Sequence, residues 1–165
     1  MKRLGTEVKW GFVFAGATLI WMILERLVGL HTTHIDKHAV YTNLFAFVAI
    51  GLFILALKDK RNNVLNGQMT YKEGFQSGVV ISLMVGVLSP VGQLITAYVI
   101  SPDYFENAIN YAVANDLTSL EEAQAYFNLK NYIFISSISA PIMGIFTTAI
   151  VAFFLKTDAK SVPER

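Results

Sequence analysis

Four long apolar runs, separated by shorter polar segments, dominate the pattern of hydrophobic and polar positions along the chain. They cover residues 10–30, 41–57, 74–100 and 132–155. A bilayer core about 30 Å thick needs roughly 20 apolar residues for each helical crossing, so each run is close to the length of one crossing. The pattern therefore predicts an all-α fold, an integral membrane bundle of four transmembrane helices.

Composition supports the membrane prediction. Hydrophobic residues make up 54% of the 165 residues and charged residues only 15%, whereas soluble domains carry about 25% charged residues. Four crossings use most of the chain, so we expect one transmembrane domain over 1–165 and no separate catalytic domain. A net charge of +1 gives no attraction for nucleic acid, and the absence of cysteine excludes thiolate ligands and cysteine nucleophiles.

The connection at 101–131 is predicted to form a short helical hairpin that caps the bundle on its outer side. Ser101 before Pro102 indicates a helix start, and the run TSLEE at 118–122 contains two overlapping capping boxes. Aromatic residues on these helices suit the headgroup zone or the end of the bundle. Two interpretations remain open: a lid at the membrane interface, or a surface on which a partner docks.

Basic residues predict the orientation, because short loops rich in Lys and Arg stay in the cytoplasm. Ten of the thirteen basic residues fall in one alternate set of segments. These are Lys2, Arg3, Lys9, Lys58, Lys60, Arg61, Lys72, Lys156, Lys160 and Arg165. The opposite set holds Arg26, Lys37 and Lys130. We therefore expect both termini to lie in the cytoplasm.

Small residues recur every fourth position on the third and fourth runs, a spacing that lets membrane helices approach closely. The third run contributes Gly74, Gly78, Ser82 and Gly86, and the fourth contributes Ser136, Ala140, Gly144 and Thr148. These two faces are predicted to meet. Pro90 and Pro141 should then lie at similar depth, where the two bends serve either packing or a working cavity.

The adjacent Glu25 and Arg26 form a candidate intramembrane polar site, because charges inside a membrane helix usually face the bundle or extend to the headgroups. Arg26 is long enough to reach the headgroups, whereas Glu25 needs a partner. Its candidate partners, by depth, are Ser89, Gln93 and Ser139. Glu25 is then either a proton or cation site, or a structural glutamate that is hydrogen-bonded or neutralised by Arg26.

His31, His34 and His38 follow a spacing of i, i+3, i+7, which would place three imidazoles on one helical face. Zinc could then be bound, with Glu25 or Asp36 completing or orienting the set. Gly29 and the Thr32-Thr33 pair argue against an unbroken helix. A metal site, a pH-responsive cluster and a polar outer loop are the alternatives, and the polar loop without metal is preferred.

Three segments resemble a known family of bacterial membrane proteins, domain of unknown function 4199. They are GQMTYKEGFQSGVVIS at 67–82, ISPDYFENA after the third run, and LERLVGLH at the end of the first. The closest matching positions are Glu25, Gly67, Tyr71, Gly74, Phe75 and Gly78. The resemblance implies four membrane spans over nearly the whole chain, and it implies no activity, ligand or site residue.

No phosphate-binding glycine loop, nucleophile elbow or HExxH motif occurs, so no enzymatic activity and no cofactor are expected. The preferred function is a non-enzymatic accessory or interaction protein. Its expected partners are the lipid bilayer, and a membrane protein or further copies of this chain. The competing hypothesis is a small oligomeric transporter or channel for protons or cations that uses Glu25.

Overall fold

The computed structural model of the protein describes residues 4–157. Seven α-helices follow one another, with a 3₁₀ turn before the third and a π-helical turn after the fourth, and no strand occurs within the described range. The helices are α1 (Gly5–Leu27), α2 (Ile35–Tyr41), α3 (Phe45–Asn63), α4 (Tyr71–Ile95), α5 (Tyr104–Ala114), α6 (Leu120–Tyr126) and α7 (Leu129–Leu155). The predicted all-helical class is confirmed.

Four helical segments are long and apolar enough to cross a membrane, as the sequence predicts. They are Gly5–Leu27, Ile35–Asn63, Tyr71–Ile100 and Leu129–Leu155. The second segment contains α2, the 3₁₀ turn Thr42–Leu44 and α3, so it begins before and ends after the run at 41–57. Lys2, Arg3, Lys160 and Arg165, which entered the orientation argument, lie outside the described residues.

Three of the described helices begin at side-chain caps. Helix α4 begins at a capping box in which Thr70 and Glu73 exchange side-chain and backbone hydrogen bonds. Helix α6 begins at a second box, formed by Ser119 and Glu122. The Asn128 side chain accepts a hydrogen bond from the backbone N–H of Asn131, and this cap starts α7 before residue 132.

Helix α4 contacts α1, α3 and α7, and α3 in turn contacts α1 and α7. Helices α5 and α6 contact each other, and α5 also contacts α2. We call the end of the bundle that carries α2, α5 and α6 the cap end. The end at which α1 begins and α7 ends is called the terminal end.

The small-residue faces of α4 and α7 meet along most of their length. A Cβ atom added at Gly78 would overlap the Thr148 side chain, and one added at Gly144 would overlap Ser82. Gly74 lies against Ala152 in the same way. Such close approach maximises dispersion contacts, which matter where apolar burial drives no association between helices.

The α4–α7 register changes toward the cap end. Gly86 lies against Pro141 and the backbone carbonyl of Ser137, while Ser136 and Ala140 are half-buried beside that contact line. Pro141 therefore lies one turn from Pro90 along α4, toward the terminal end. The Pro141 ring fills the contact between the two helices at this level.

Candidate functional site

A tight reversal after α1 brings the chain back onto its own last turn. Gly29 adopts φ +82°, a conformation that glycine tolerates without a Cβ penalty. The backbone N–H of Leu30 donates to the Glu25 carbonyl over 2.9 Å, and the N–H of His34 donates to the Gly29 carbonyl over 2.8 Å. This turn buries Leu30 and His31 against the bundle and leaves His34 exposed.

Glu25, His31 and His38 form one buried cluster at the cap end. The Glu25 Oε2 atom lies 3.1 Å from His31 Nε2 and 3.3 Å from His38 Nε2. The side chains of Glu25 and His31 are each 2% exposed, and that of His38 is 18% exposed. Trp21, one turn before Glu25 on α1, donates its indole N–H to Oε1 over 2.5 Å. Each oxygen of this carboxylate therefore has at least one nitrogen atom within 3.3 Å.

The far nitrogen of each imidazole meets a hydroxyl group from the α4–α5 junction. His31 Nδ1 lies 2.6 Å from Ser101 Oγ, and His38 Nδ1 lies 3.3 Å from Tyr104 Oη. Ser101 follows the π-helical turn Thr96–Ile100, in which its N–H donates to the Thr96 carbonyl over 2.7 Å. The wide turn shifts the chain at the end of α4 and delivers the Ser101 hydroxyl to His31.

Two side chains of α5 connect the cluster to the rest of the bundle. Asn107 donates its side-chain amide N–H to the His31 carbonyl over 3.0 Å. The Tyr104 hydroxyl also lies 3.2 Å from the Tyr132 hydroxyl on α7. Burial raises the pKa of Tyr104 well above its usual range, so this phenol stays protonated. The ring of Tyr104 contacts both imidazoles, which contact each other edge to face.

A cavity of about 150 Å³ adjoins the two imidazoles. Its other walls include Gln93 on α4, Ser101, Tyr104 and Tyr132. This volume is well above the roughly 10–15 Å³ that one water molecule needs, and the walls offer several hydrogen-bonding groups. The cavity can therefore hold small polar species beside His31 and His38.

Comparison with known proteins places the chain in a family. Residues 9–157 match the model of the family described as protein of unknown function (DUF4199). The chain belongs to this family. The resemblance drawn from its residues is thereby confirmed, and the match covers most of the first apolar segment, the other three completely, and the buried cluster. No curated protein and no solved structure matches this DUF4199 chain.

The partners of Glu25 in the structure differ from those expected for this DUF4199 chain, which had been chosen by their depth in the membrane. Gln93 lines the adjoining cavity, and Ser89 donates its hydroxyl to the Val85 carbonyl within α4. Arg26 and Ser139 are exposed. The depth argument failed because it assumed that partners would come from another span, whereas the reversal at Gly29 supplies an imidazole from the loop.

The three histidines are not on one helical face. His31 belongs to the reversal, His34 is the exposed N-cap residue of α2, and His38 lies within α2. The spacing argument assumed a helix through 31–38, but Gly29 to His34 form turns. Only His31 and His38 converge, and Glu25 supplies the third group, as the sequence allowed.

Sequence inspection missed the groups that support the cluster. Trp21 lies four residues before Glu25, a spacing that places two side chains on neighbouring turns of one helix face. This spacing could therefore have identified Trp21 as a partner of Glu25. Ser101, Tyr104 and Asn107 lie about 70 residues further along the chain, and no local pattern indicates their contact with His31 or His38.

A second buried polar cluster lies at the terminal end. Glu7 Oε1 lies 2.7 Å from Lys60 Nζ and accepts a hydrogen bond from Ser77 Oγ over 2.7 Å. Its other oxygen, Oε2, is buried without a hydrogen-bond partner among the described residues. Lys60, which entered the orientation argument as a loop cation, is therefore a buried residue of α3.

Proposed function

We propose that this DUF4199 protein is a non-enzymatic accessory protein of a bacterial cytoplasmic membrane, which acts by binding a membrane protein through its cap. The observation that supports this function is the two-sided character of α5 and α6. Tyr104, Ala108 and Ala112 on α5 are buried, as is Ala123 on α6. Helix α6 and the turn before it also expose large apolar side chains.

The exposed apolar residues of the cap lie outside the four apolar segments. Leu117 is 65% exposed, Leu120 is 54% exposed and Tyr126 is 52% exposed. Exposed apolar groups along the four membrane segments are explained by lipid, whereas those of the cap need the headgroup zone or a protein to cover them. A membrane protein that presents apolar side chains just outside the bilayer fits this surface.

The proposed topology places both termini in the cytoplasm and the cap outside. Among the described basic residues, Lys9, Lys58, Arg61, Lys72 and Lys156 lie at the terminal end or in the connection beside it, in agreement with the positive-inside rule. A single cysteine placed at exposed Lys72 should react with a membrane-permeant maleimide and resist an impermeant one. Labelling of that position from outside intact cells would overturn the topology.

A photocrosslinking experiment tests the accessory function. A photoreactive amino acid at Leu117 or Leu120 should capture one defined membrane protein in native membranes, and the same probe at Asn110, an exposed polar position on α5, is the matched control. Changing the other leucine to serine should abolish capture without altering the amount of folded protein. A product of twice the chain mass would indicate a homo-oligomer instead, and capture of lipid alone would overturn the proposal.

Proton or cation transport is the second candidate, because α1 carries a buried carboxylate near each end. Glu7 and Glu25 are roughly 27 Å apart along the helix axis. Between them the bundle is filled by Phe14 and Phe53, whose ring centroids are 4.8 Å apart, and by fully buried Ile81. This packing favours the accessory function over an open pathway.

Flux in liposomes separates the two functions. Transport through Glu25 predicts proton or cation leakage that the Glu25→Gln variant loses while it remains folded. The accessory function predicts no flux above that of empty liposomes under any imposed gradient. Glu25-dependent flux would therefore refute the accessory function.

A further inference from the structure

We propose that Glu25, His31 and His38 bind a divalent transition-metal ion of the zinc class at the cap end of the bundle. Each residue offers one ligand atom, and these three atoms all lie within 4.8 Å of one another. Two imidazole nitrogens and one carboxylate oxygen form a ligand set that zinc uses in proteins. The proposal stands independently of the accessory function.

Two of the three separations between ligand atoms match those of a zinc site. In a tetrahedral zinc site with metal–ligand bonds of about 2.0–2.1 Å, neighbouring ligand atoms are about 3.3 Å apart. Glu25 Oε2 lies 3.1 Å from His31 Nε2 and 3.3 Å from His38 Nε2. The ion would replace the protons that now lie between these atoms.

The groups behind the ligands hold them in the geometry that a metal requires. A metal-binding imidazole commonly has its second nitrogen hydrogen-bonded to another protein group, which fixes the ring orientation and the tautomer. Ser101 Oγ does this for His31 Nδ1, and Tyr104 Oη does it for His38 Nδ1. Trp21 occupies Glu25 Oε1 and leaves Oε2 toward the imidazoles.

These partners also allow the change of tautomer that metal binding needs. An ionised Glu25 carboxylate can only accept, so without metal it pairs with the imidazole tautomer that carries hydrogen on Nε2 and leaves Nδ1 to accept from a hydroxyl group. With metal bound, Nε2 must be unprotonated, so Nδ1 carries the hydrogen and donates to the same hydroxyl oxygen. Serine and tyrosine hydroxyls can donate or accept, so Ser101 and Tyr104 serve both states by rotating one O–H bond.

The adjoining cavity leaves a fourth coordination position open. It is lined by His31, His38, Ser101 and Tyr104, and its volume of about 150 Å³ accommodates a metal-bound water. Magnesium and calcium prefer six or more oxygen ligands, which this set does not provide. Imidazole ligands favour zinc and its first-row neighbours.

Equilibrium zinc binding to the purified full chain in detergent tests the proposal. The chelator-treated protein should bind one Zn²⁺ per chain, and His38→Ala should weaken binding more than about 100-fold, beyond the usual loss from a supporting residue. His34→Ala is the matched control, because it removes an exposed histidine of the same loop, and it should bind zinc as the parent chain does. Circular dichroism and gel filtration verify the fold of each variant.

A second measurement needs no variant. Co²⁺ bound to the parent chain should give the intense visible absorption of a four-coordinate site, and X-ray absorption of the zinc form should show two imidazoles and two oxygen ligands at about 2.0 Å. Absence of stoichiometric binding at micromolar Zn²⁺ would overturn the proposal. Equal losses from His34→Ala and His38→Ala, or six-coordinate Co²⁺, would overturn it as well.

Discussion

Replacing Gly78 with alanine tests whether the closest approach of α4 and α7 stabilises the bundle. A Cβ atom at this position would lie 2.8 Å from Thr148 Cβ and still nearer to the Thr148 hydroxyl and methyl groups. Carbon atoms normally pack at about 3.5–4.0 Å, so the helices must separate by about 1 Å at this level. The separation also loosens the neighbouring contact between Gly74 and Ala152.

The expected cost is about 1–3 kcal/mol of unfolding free energy, the usual range for an added methyl group in a packed interior. Gly92 on the same helix is the matched control, because nothing lies within 4 Å of a Cβ atom added there. Gly92→Ala should be neutral or stabilising by up to about 1 kcal/mol, since alanine favours helix. The two variants differ only in what the new methyl group meets.

A second substitution should recover part of the loss. Thr148→Ala removes the two atoms that the new methyl group would meet first, and the Thr148 hydroxyl is buried without a hydrogen-bond partner among the described residues. Its removal alone should therefore cost little. The double variant Gly78→Ala/Thr148→Ala should show a coupling free energy of about 1–2 kcal/mol, within the range for residues in contact.

Unfolding by sodium dodecyl sulfate in mixed micelles measures these differences, with circular dichroism as the signal for helix loss. The variants must be compared in one detergent at one protein concentration. If Gly78→Ala proved as stable as Gly92→Ala, or Thr148→Ala gave no recovery, the close α4–α7 contact would not determine stability.

Three further predictions concern the polar groups. Glu7→Ala should cost about 3–5 kcal/mol in the same unfolding assay, because it leaves the buried Lys60 ammonium without the carboxylate at 2.7 Å, whereas Lys9→Ala at the exposed pair should cost under about 1 kcal/mol. Hydrogen bonds from Thr118 and then Ser119 lower the pKa of Glu122. Its contribution to α6 is therefore present above its unfolded-state pKa and lost as pH falls through the folded-state pKa. The protection factors of the α6 amides, normalised to the intrinsic exchange rate at each pH, should therefore fall in acid in the parent chain and should not fall in Glu122→Gln. Ser101→Ala should raise the zinc dissociation constant about 10- to 100-fold, and an unchanged constant would refute the supporting role of that hydroxyl.

The membrane bundle could be predicted from sequence because its signals are local. Runs of apolar residues, the capping boxes at Thr70 and Ser119, and small residues at four-residue spacing each act through neighbours on one helix. The residues Gly78 and Thr148 come from different helices, yet their spacing patterns indicated the faces that meet. In lipid, close packing of small residues is the main route to a stable helix pair, so this pattern carries long-range information.

The candidate site was only partly predictable. Glu25 was identified because a carboxylate inside an apolar run is costly, and His31 and His38 because histidines lay close together in the chain. His34 lies outside the cluster because of the turn at Gly29, and the φ of +82° at that glycine is a property of the folded loop. The roles of Ser101 and Tyr104 depend on the π-helical turn that ends α4.

The sequence by itself determined the helical class, the four apolar segments, the family and the presence of a carboxylate and histidines near one end of α1. Only the tertiary structure decided that Glu25, His31 and His38 share one buried centre with Ser101 and Tyr104, and that Glu7 and Lys60 pair inside the bundle. The physical reason is that these two groups of features depend on interactions of different range along the chain. Hydropathy and capping act within a few residues of the chain, whereas a polar cluster forms where turns and packing bring distant segments within hydrogen-bonding distance.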